Sequence, residues 1–163
     1  MKVLTVLVPT YNVEKYLRRC LDSLLLPEVL EEIEVLVVND GSKDGSADIA
    51  RAYEKKYPQT VVFVDKENGG HGSTINVGIE KAQGTYFKVL DSDDWVNEQA
   101  YRQVLDTLRR FVYGKDTLDM LITNFVYEKQ GARHKKVMSY KLALPKDELF
   151  SWNDVKVFVA GQY

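Results

Sequence analysis

Four short apolar runs alternate with amphipathic segments over residues 1–112, and this alternation constrains the fold more than any other feature. The runs are residues 3–8, 33–38, 61–64 and 85–90. Continuous valine-rich runs are typical of strands that are buried on both faces of a parallel sheet. Strands that alternate with helices imply right-handed crossovers. The sequence therefore predicts an α/β fold with a mostly parallel sheet and helices on both faces.

The three segments between these runs and the segment after the last run repeat their apolar residues at helical spacing. The residues predicted to form the apolar faces are Val13, Leu17, Cys20, Leu21 and Leu24, then Ile49, Tyr53 and Tyr57, then Ile75, Ile79 and Ala82, then Tyr101, Val104, Leu105 and Leu108. Asn12 and Asn97 are the predicted N-caps of the first and fourth helices. Gly84 follows the predicted end of the third helix, and Pro9 is predicted to end the first strand.

The pattern changes after residue 112. Residues 118–127 and 137–144 are strand candidates that could pair as a hairpin or extend the edge of the sheet. Ser151 is the predicted cap of a last short helix through residue 158. No glycine-, proline- or serine-rich linker divides the chain, so residues 1–163 are predicted to form a single domain.

Composition excludes several classes of protein. The chain has 163 residues, 45% hydrophobic and 28% charged, which is ordinary for one soluble globular domain. A net charge of −2 provides no basic footprint for nucleic acid. The single cysteine, Cys20, is expected in the core, and a reducing cytoplasm suits it. No apolar run reaches membrane-spanning length, so we expect a cytoplasmic protein, and association with the inner face of the membrane through other segments stays open.

Polar residues follow every predicted strand. They are Thr10 to Asn12, residues 40–45, residues 65–74 and Asp91 to Asp93. In open parallel sheets, ligands bind in the crevice beyond the carboxyl ends of the strands. The four clusters are therefore predicted to form one ligand site.

Three carboxylates lie within four residues after the fourth strand. Asp91, Asp93 and Asp94 repel one another when they are ionised, unless a cation lies among them. Hard oxygen ligands favour Mg²⁺ or Mn²⁺. The alternative is a solvated turn in which an aspartate caps the next helix, and Asp94 is the member expected to be structural.

The other polar clusters suit a nucleoside diphosphate. Tyr11 offers a face for a planar ring, or is an ordinary surface tyrosine. Asp40 could accept hydrogen bonds from a base, or bond its own backbone in a turn. The loop around Gly70 and His71 opens a helix whose N-terminus could bind phosphate, or is a flexible loop with a Ser/Thr cap. It is not a P-loop, because no Lys-Ser or Lys-Thr pair follows the glycines.

Four motifs in order resemble glycosyltransferase family 2, the inverting enzymes of the Rossmann-like GT-A fold. They are Val8-Pro-Thr-Tyr-Asn12, Val38-Asn-Asp40-Gly-Ser-Lys-Asp44-Gly-Ser, Asn68-Gly-Gly70 through Asn76-Val-Gly78, and Leu90-Asp91-Ser-Asp93-Asp94. The resemblance covers residues 3–95 and weakens thereafter. It implies transfer of a sugar from a nucleotide-sugar, with a UDP-sugar as the expected donor, to a glycan, lipid or other acceptor hydroxyl with inversion.

The resemblance also implies roles for individual residues. Pro9, Thr10 and Tyr11 would hold the nucleoside, and Asp40 would read the base. Asp91 would lie against the ribose. Gly70 and His71, from the loop that opens the third helix, are expected to lie near the phosphates independently of the resemblance. Asp93 would ligate Mg²⁺ or Mn²⁺ as the second acid of the Asp-x-Asp motif, with Asp91 in support.

Two departures from the family pattern affect the expected chemistry. Ile75 stands where many members have an arginine, so a phosphate contact is missing that His71 or Lys66 would replace. Inverting transfer also needs a base for the acceptor's proton, and in the family this base is an aspartate far downstream of Asp-x-Asp. Because only 70 residues follow Asp93, the base is expected beyond residue 163.

The chain is therefore expected to be the donor-binding part of a longer enzyme. Residues 1–112 would form its nucleotide-binding βα units, and residues 113–163 would begin its acceptor-side region. The alternative is a nucleotide-sugar-binding module without transfer activity. A nucleotidyltransferase is less favoured, because Pro9-Thr-Tyr-Asn12 lacks a glycine-rich triphosphate signature. A receiver-like domain is less favoured because of the paired acids Asp91 and Asp93.

Overall fold

The fold comes from a computed structural model that describes residues 1–128, 135–140, 144–145 and 147–155. The chain divides into two compact units, Met1–Thr117 and Leu118–Tyr163. The assignment of residues 1–163 to a single domain stays a prediction.

The first unit contains a four-stranded parallel sheet. Its strands are β1 (Leu4–Thr10), β2 (Ile33–Asp40), β3 (Val61–Lys66) and β4 (Tyr86–Val89). Their order is β3-β2-β1-β4, and every neighbouring pair is parallel. The predicted α/β class and parallel sheet are confirmed. All four carboxyl ends consequently meet at one edge of the sheet.

Four helices connect and follow these strands. They are α1 (Glu14–Leu24), α2 (Ser46–Lys56), α3 (His71–Lys81) and α4 (Glu98–Val112). Residues Ile75, Val77 and Ala82, in and just after α3, pack over Leu7 and its sheet neighbours. The alternate sheet residues Val6, Val8, Val35 and Val37 are also buried, as are Leu17, Cys20, Leu21 and Leu24 on one face of α1. Helices therefore cover both faces, as predicted.

β1 extends beyond the end that the sequence predicts. Pro9 does not stop the strand, which continues to Thr10, and Pro9 pairs in register with Val38. The pairing of β1 with β4 has already ended at Leu7 and Val89. Pro9 therefore occupies a position with a strand on one side, where a residue without an N–H group is tolerated.

β4 is less buried than its apolar composition indicates. Tyr86 and Val89 are half-buried, and Phe87 and Lys88 are exposed. Within the part of the chain that the structure describes, β4 pairs with β1 alone. One edge of β4 therefore has no neighbouring strand there, and the prediction of a buried fourth strand is wrong.

The orientation of α3 also differs from the prediction. Ile79, predicted to face the sheet, is 61% exposed, whereas Thr74 and Gly78 are buried. A Cβ atom on Gly78 would lie 2.5 Å from Cδ2 of Leu7, so the helix approaches the sheet through its glycine. This close approach turns Ile79 outward. The predicted cap of α4 is confirmed, because the Asn97 side chain accepts a hydrogen bond from the N–H of Ala100.

The second unit contains an antiparallel strand pair. β5 (Phe125–Tyr127) pairs with β6 (Lys136–Met138), which confirms the pairing of the two late strands. Ser151 caps a short 3-10 helix, since its N–H donates to Oδ2 of Asp154 at 2.8 Å. Residues 141–143 of the predicted strand and residues 156–158 of the predicted helix lie outside the described residues.

None of the helices within the described ranges combines the length and the apolar character needed to cross a membrane.

Candidate functional site

A cleft of about 630 Å³ opens at the carboxyl ends of the strands of the first unit. The residues that line it are Pro9, Thr10, Tyr11, Val13, Asp40, Asn68, Gly70, His71, Thr74, Asp91, Ser92 and Asp93. All eight residues assigned from the sequence to donor or metal are among them, whereas Lys66, the alternative to His71 as a phosphate contact, is not. The fold thus brings together all eight candidates from four separate loops, while their individual roles stay predictions.

Four lining residues were not among the predicted site residues. They are Val13, Asn68, Thr74 and Ser92. Thr74 is three positions from a predicted site residue in the sequence, and the other three are one or two positions from one. Asn68 is the most informative, because its Nδ2 donates to the backbone carbonyl of Asp40 at 3.0 Å and joins two loops of the cleft. Its place in the Asn-Gly-Gly motif was the signal that could have identified it.

Asn12 shapes the loop that carries Tyr11, but not as a helix cap. Val13 occupies the N-cap position of α1, without a side-chain hydrogen bond. Asn12 has a positive φ of 52°. Its N–H donates to Oγ of Ser42 at 3.0 Å, and its Oδ1 accepts from the N–H of Lys43 at 2.8 Å. The predicted cap is wrong, because the side chain binds the neighbouring loop instead.

A second reciprocal contact joins the same two loops. Oδ2 of Asp44 accepts from the N–H of Glu14 at 3.1 Å, and Oε2 of Glu14 accepts from the N–H of Gly45 at 2.7 Å. Burial raises the pKa of Asp44, but hydrogen bonds from Ser46 and Glu14 outweigh burial and hold the pKa below its ordinary value. Asp44 is therefore a structural anion. It fixes the loop that presents the exposed ring of Tyr11 to the cleft.

Asp40 is the most enclosed acid of the cleft, with 3% of its surface exposed. Oδ1 accepts from Nζ of Lys66 at 2.5 Å and from the N–H of Gly69 at 2.9 Å, and Oδ2 accepts from the N–H of Gly70 at 2.8 Å. Burial raises the pKa of Asp40, but these hydrogen bonds outweigh it and hold the pKa below its ordinary value. Asp40 is consequently held as a carboxylate.

The alternative interpretation of Asp40, as an aspartate that bonds its own turn, does not describe its contacts. The turn bond is made by the preceding residue, since the N–H of Ser42 donates to Oδ1 of Asn39 at 3.3 Å. Asp40 instead holds the loop at Gly69 and Gly70, which follows β3. Gly70 has a φ of 83°, a left-handed conformation that glycine adopts without strain.

The N-terminus of α3 borders the cleft. His71 is its first residue, and Nε2 of His71 lies 3.3 Å from Oδ1 of Asp91. Both side chains are exposed and line the cleft. Of the two residues expected to replace the missing arginine, His71 borders the cleft and Lys66 does not. The free N–H groups and positive dipole end of a helix N-terminus attract anions.

The acidic turn contributes two of its three carboxylates to the cleft. Asp91 and Asp93 line it, and Asp94 does not. The N–H of Asp94 donates to the carbonyl of Asp91 at 2.9 Å, which closes the turn. Burial raises the pKa of Asp94, and the charges of Asp93 and Asp91 raise it further. The turn is therefore a site of mutual repulsion that a cation would relieve.

Asp91 and Asp93 fit a divalent cation that also binds a phosphorylated ligand. Within residues 1–128 and the other described ranges, no group of three His, Cys, Asp or Glu side chains could hold a metal. Mg²⁺ commonly takes one or two protein carboxylates and completes its six positions with water and substrate phosphate. The two carboxylates of this turn match that ligand number, with phosphate oxygens and water completing the coordination.

Comparisons with known proteins agree with the geometry. Residues 5–159 match the family model described as glycosyl transferase family 2. The chain is 41% identical over 102 residues to glycosyltransferase GlyA of Streptococcus pneumoniae serotype 4, covering 63% of this chain and 14% of GlyA. It is 40% identical over 124 residues to the putative glycosyltransferase EpsH of Bacillus subtilis, covering 76% of this chain and 34% of EpsH. The chain thus spans a minor part of both relatives.

Solved structures share the fold. The crystal structure of S. aureus TarS 1-349 in complex with UDP-GlcNAc matches with a TM-score of 0.59 and 33% identity, over 69% of this chain and 32% of that one. The mannosyltransferase PcManGT from Pyrobaculum calidifontis, in complex with GDP-Man and Mn²⁺, matches with a TM-score of 0.55 and 26% identity, over 60% of this chain and 30% of that one. Both neighbours bind nucleotide-sugars.

Proposed function

Since the chain belongs to glycosyltransferase family 2, we propose that it binds the nucleotide-sugar donor of an enzyme that transfers a sugar to an acceptor hydroxyl. One observation carries the proposal. All eight residues expected to contact donor or cation line a single cleft at the carboxyl ends of the parallel strands. That edge of an open α/β sheet is where ligands bind.

The nucleoside occupies the part of the cleft lined by β1 and β2. Tyr11 stacks on the base, and the ionised carboxylate of Asp40 accepts a hydrogen bond from it. Because an ionised carboxylate only accepts hydrogen bonds, it favours a base whose ring nitrogen carries a proton at that position, as N3 of uracil does. The UDP-GlcNAc bound to TarS supports this choice of donor. Asp91 lies against the ribose.

The diphosphate lies between the N-terminus of α3 and the acidic turn. His71 and the free N–H groups of α3 orient the phosphates. Asp93, with Asp91, would hold Mg²⁺ or Mn²⁺, and the Mn²⁺ of the PcManGT complex supports this assignment. When bound, the cation supplies positive charge that stabilises the diphosphate as a leaving group. The two carboxylates fix its position and exclude other anions.

The base that accepts the proton of the acceptor hydroxyl belongs, in our proposal, to a part of the relatives that this chain does not span. Asp154, one of the late acids, is engaged as a cap, since its Oδ2 accepts from both the N–H and the Oγ of Ser151. These hydrogen bonds hold its pKa below the ordinary value, which weakens it as a base. Inversion, acceptor identity, cytoplasmic location and any membrane association stay predictions.

Calorimetry with and without Mn²⁺ tests donor binding. We expect UDP and UDP-sugars to bind the wild-type chain with metal-dependent affinity. Asp93→Ala should abolish the metal-dependent part with little change in thermal stability. Asp48→Ala is the matched control, because Asp48 is a highly exposed acid on α2 away from the cleft. If Asp93→Ala binds UDP with unchanged metal dependence, the assignment of the acidic turn is wrong.

Two further measurements separate the rival functions. A nucleotidyltransferase would prefer a nucleoside triphosphate with a sugar phosphate over a UDP-sugar, so competition between these ligands distinguishes it. A transfer assay on this chain and on a longer version distinguishes an enzyme part from a binding module. We expect transfer from the longer version alone, and transfer from neither would favour the module.

A further inference from the structure

Lys66, at the end of β3, is the most fully engaged cation near the cleft. Its ammonium donates to Oδ1 of Asp40 at 2.5 Å, to the carbonyl of Glu67 at 2.6 Å and to Oγ of Ser73 at 2.9 Å. An ammonium has three protons, so these contacts use its whole donor capacity. Lys66 does not line the cleft. It is therefore placed to act through its neighbours rather than by touching a ligand.

The three acceptors belong to different segments of the chain, and Asp40 is the one that lines the cleft. Asp40 ends β2, Glu67 lies in the loop after β3, and Ser73 lies in the first turn of α3. Oγ of Ser73 donates onward to the carbonyl of Gly70 at 2.7 Å, while the N–H of Gly70 donates to Oδ2 of Asp40 at 2.8 Å. One ammonium thus connects the base-binding carboxylate to the segment that orients phosphate.

The contacts of Asp40 leave one acceptor position for a ligand. An ionised carboxylate offers about four lone-pair positions. Lys66 and Gly69 occupy the two on Oδ1, and Gly70 occupies one on Oδ2. One acceptor position remains on Oδ2, and Asp40 lines the cleft. The count matches one N–H group of a base.

We propose that Lys66 is a positioning residue of the donor site, which holds the Asp40 carboxylate and the start of α3 in the arrangement that selects a base with a protonated ring nitrogen. The proposal rests on the function proposed above. Uracil presents such an N–H to the carboxylate, whereas the corresponding ring nitrogen of cytosine is an acceptor. Lys66 therefore acts on the preference between UDP and CDP as well as on affinity.

The test compares Lys66→Met with Arg51→Met by calorimetry, using UDP and CDP. Arg51→Met is the matched control. It likewise removes a cation that is paired with a carboxylate, here Asp65 on β3 at 2.9 Å. Arg51 does not line the cleft. We expect Lys66→Met to weaken the affinity for UDP by at least about tenfold, which corresponds to the loss of one charged hydrogen bond. The preference for UDP over CDP should fall with it. Arg51→Met should change neither.

If Lys66→Met does not fold, Gly69→Ala provides a second test of the proposal. A Cβ atom at Gly69 would lie 2.8 Å from Oγ of Ser73 and 3.0 Å from Nζ of Lys66. It therefore disturbs the same contacts without removing a charge. We expect the same fall in the preference for UDP, with a smaller loss of affinity.

Three outcomes overturn the proposal while the proposed function stands. The first is unchanged UDP binding by Lys66→Met and by Gly69→Ala. The second is equal weakening of UDP and CDP binding in these variants, which would show a merely structural role. The third is a wild-type chain that binds UDP and CDP equally. A wild-type chain that binds no nucleoside diphosphate would overturn the proposed function, and the role of Lys66 with it.

Discussion

At the amino ends of the parallel strands, the carboxylate of Glu34 is enclosed by protein donors, whereas at the carboxyl ends Asp91 and Asp93 face an open cleft. Glu34 is 3% exposed. Its Oε2 accepts from Oγ1 of Thr5 at 2.7 Å and from the N–H of Gln83 at 2.9 Å. The N–H of Gly84 donates to Oγ1 of Thr5 at 2.8 Å, which extends the network.

The difference between the two ends separates structural from functional charge. Buried polar groups stabilise a fold when protein partners satisfy them. In the acidic turn, by contrast, burial raises the pKa of Asp94, and the neighbouring charges of Asp93 and Asp91 raise it further. Repulsion of this kind beside an open cleft is what the proposed cation would relieve.

Removing the enclosed acid should have the largest effect on stability. Glu34→Ala leaves the N–H of Gln83 and the hydroxyl of Thr5 without their acceptor, which should cost about 3 kcal/mol in the free energy of unfolding. Asp93→Ala should change it by less than about 0.5 kcal/mol, because it removes an exposed, repelling charge. Urea unfolding followed by circular dichroism measures both. Equal losses would remove the distinction between the two ends.

The second prediction tests whether the two ends are independent. α3 runs from the cleft at His71 to the neighbourhood of the Glu34 network after Lys81. Gly78→Ala should cost about 1–3 kcal/mol, because its Cβ overlaps Leu7 in the core. It should also weaken UDP binding through displacement of the helix.

Gly72→Ala is the matched control for stability. No atom lies within 4 Å of the added Cβ, so the variant should be as stable as wild type or up to about 1 kcal/mol more stable. Denaturant unfolding compares the two alanines. A Gly78→Ala variant that is as stable as Gly72→Ala would show that the close approach to Leu7 does not constrain α3.

A smaller effect is expected at the aromatic wall of the cleft. Tyr11→Ala should weaken UDP binding by about tenfold, the low end of the range for base stacking, without changing the unfolding temperature. Tyr16→Ala is the control, because Tyr16 is an exposed tyrosine on the neighbouring helix that does not line the cleft. Calorimetric titration of both variants decides the point, and equal UDP affinities would exclude stacking on Tyr11.

The smallest expected effect is a loss of folding stability at acid pH. The pKa values of Asp40 and Asp44 are lower in the folded chain than in the unfolded one, because hydrogen bonds to the carboxylates outweigh burial. Their stabilising contribution is complete above the ordinary aspartate pKa of about 3.9. It is lost as the pH falls through the lower folded values.

Urea unfolding between pH 7 and pH 3 measures this loss. The free energy of unfolding should fall on the acid side, and the fall should be smaller in Asp44→Asn, which keeps an acceptor but no longer titrates. An identical acid dependence in the variant and the wild type would contradict the assignment of Asp44 as a structural anion.

Much of the site could be predicted because it consists of short local motifs placed after strands. In a parallel sheet, the loops that leave the strands lie at one edge whatever the exact packing. Asp40, His71 and Asp93 therefore line one cleft even though the predicted ends of the parallel strands differ by one or two residues from the observed ones. The family resemblance of the four motifs then supplied the expected ligand.

The errors share a physical cause, which is packing between distant segments. Ile79 fits a helical apolar pattern, yet Gly78 approaches Leu7 more closely and turns Ile79 to solvent. Asn12 has the chemistry of a helix cap, yet it binds Lys43 in another loop. Periodicity indicates which face of a helix is apolar, but the closest approach of two backbones decides which residues that face buries.

The sequence by itself determined the order of strands and helices, the polar edge and the carboxylates that follow the strands there, because each depends on periodicity or on near neighbours in the chain. The tertiary structure decided which of those carboxylates accept hydrogen bonds from other protein groups. Lys66 and Asp40 are 26 positions apart and meet at 2.5 Å, while Asp93 faces the cleft. Only the folded arrangement distributes donors among acceptors, because hydrogen bonds form between groups that are close in space rather than in sequence.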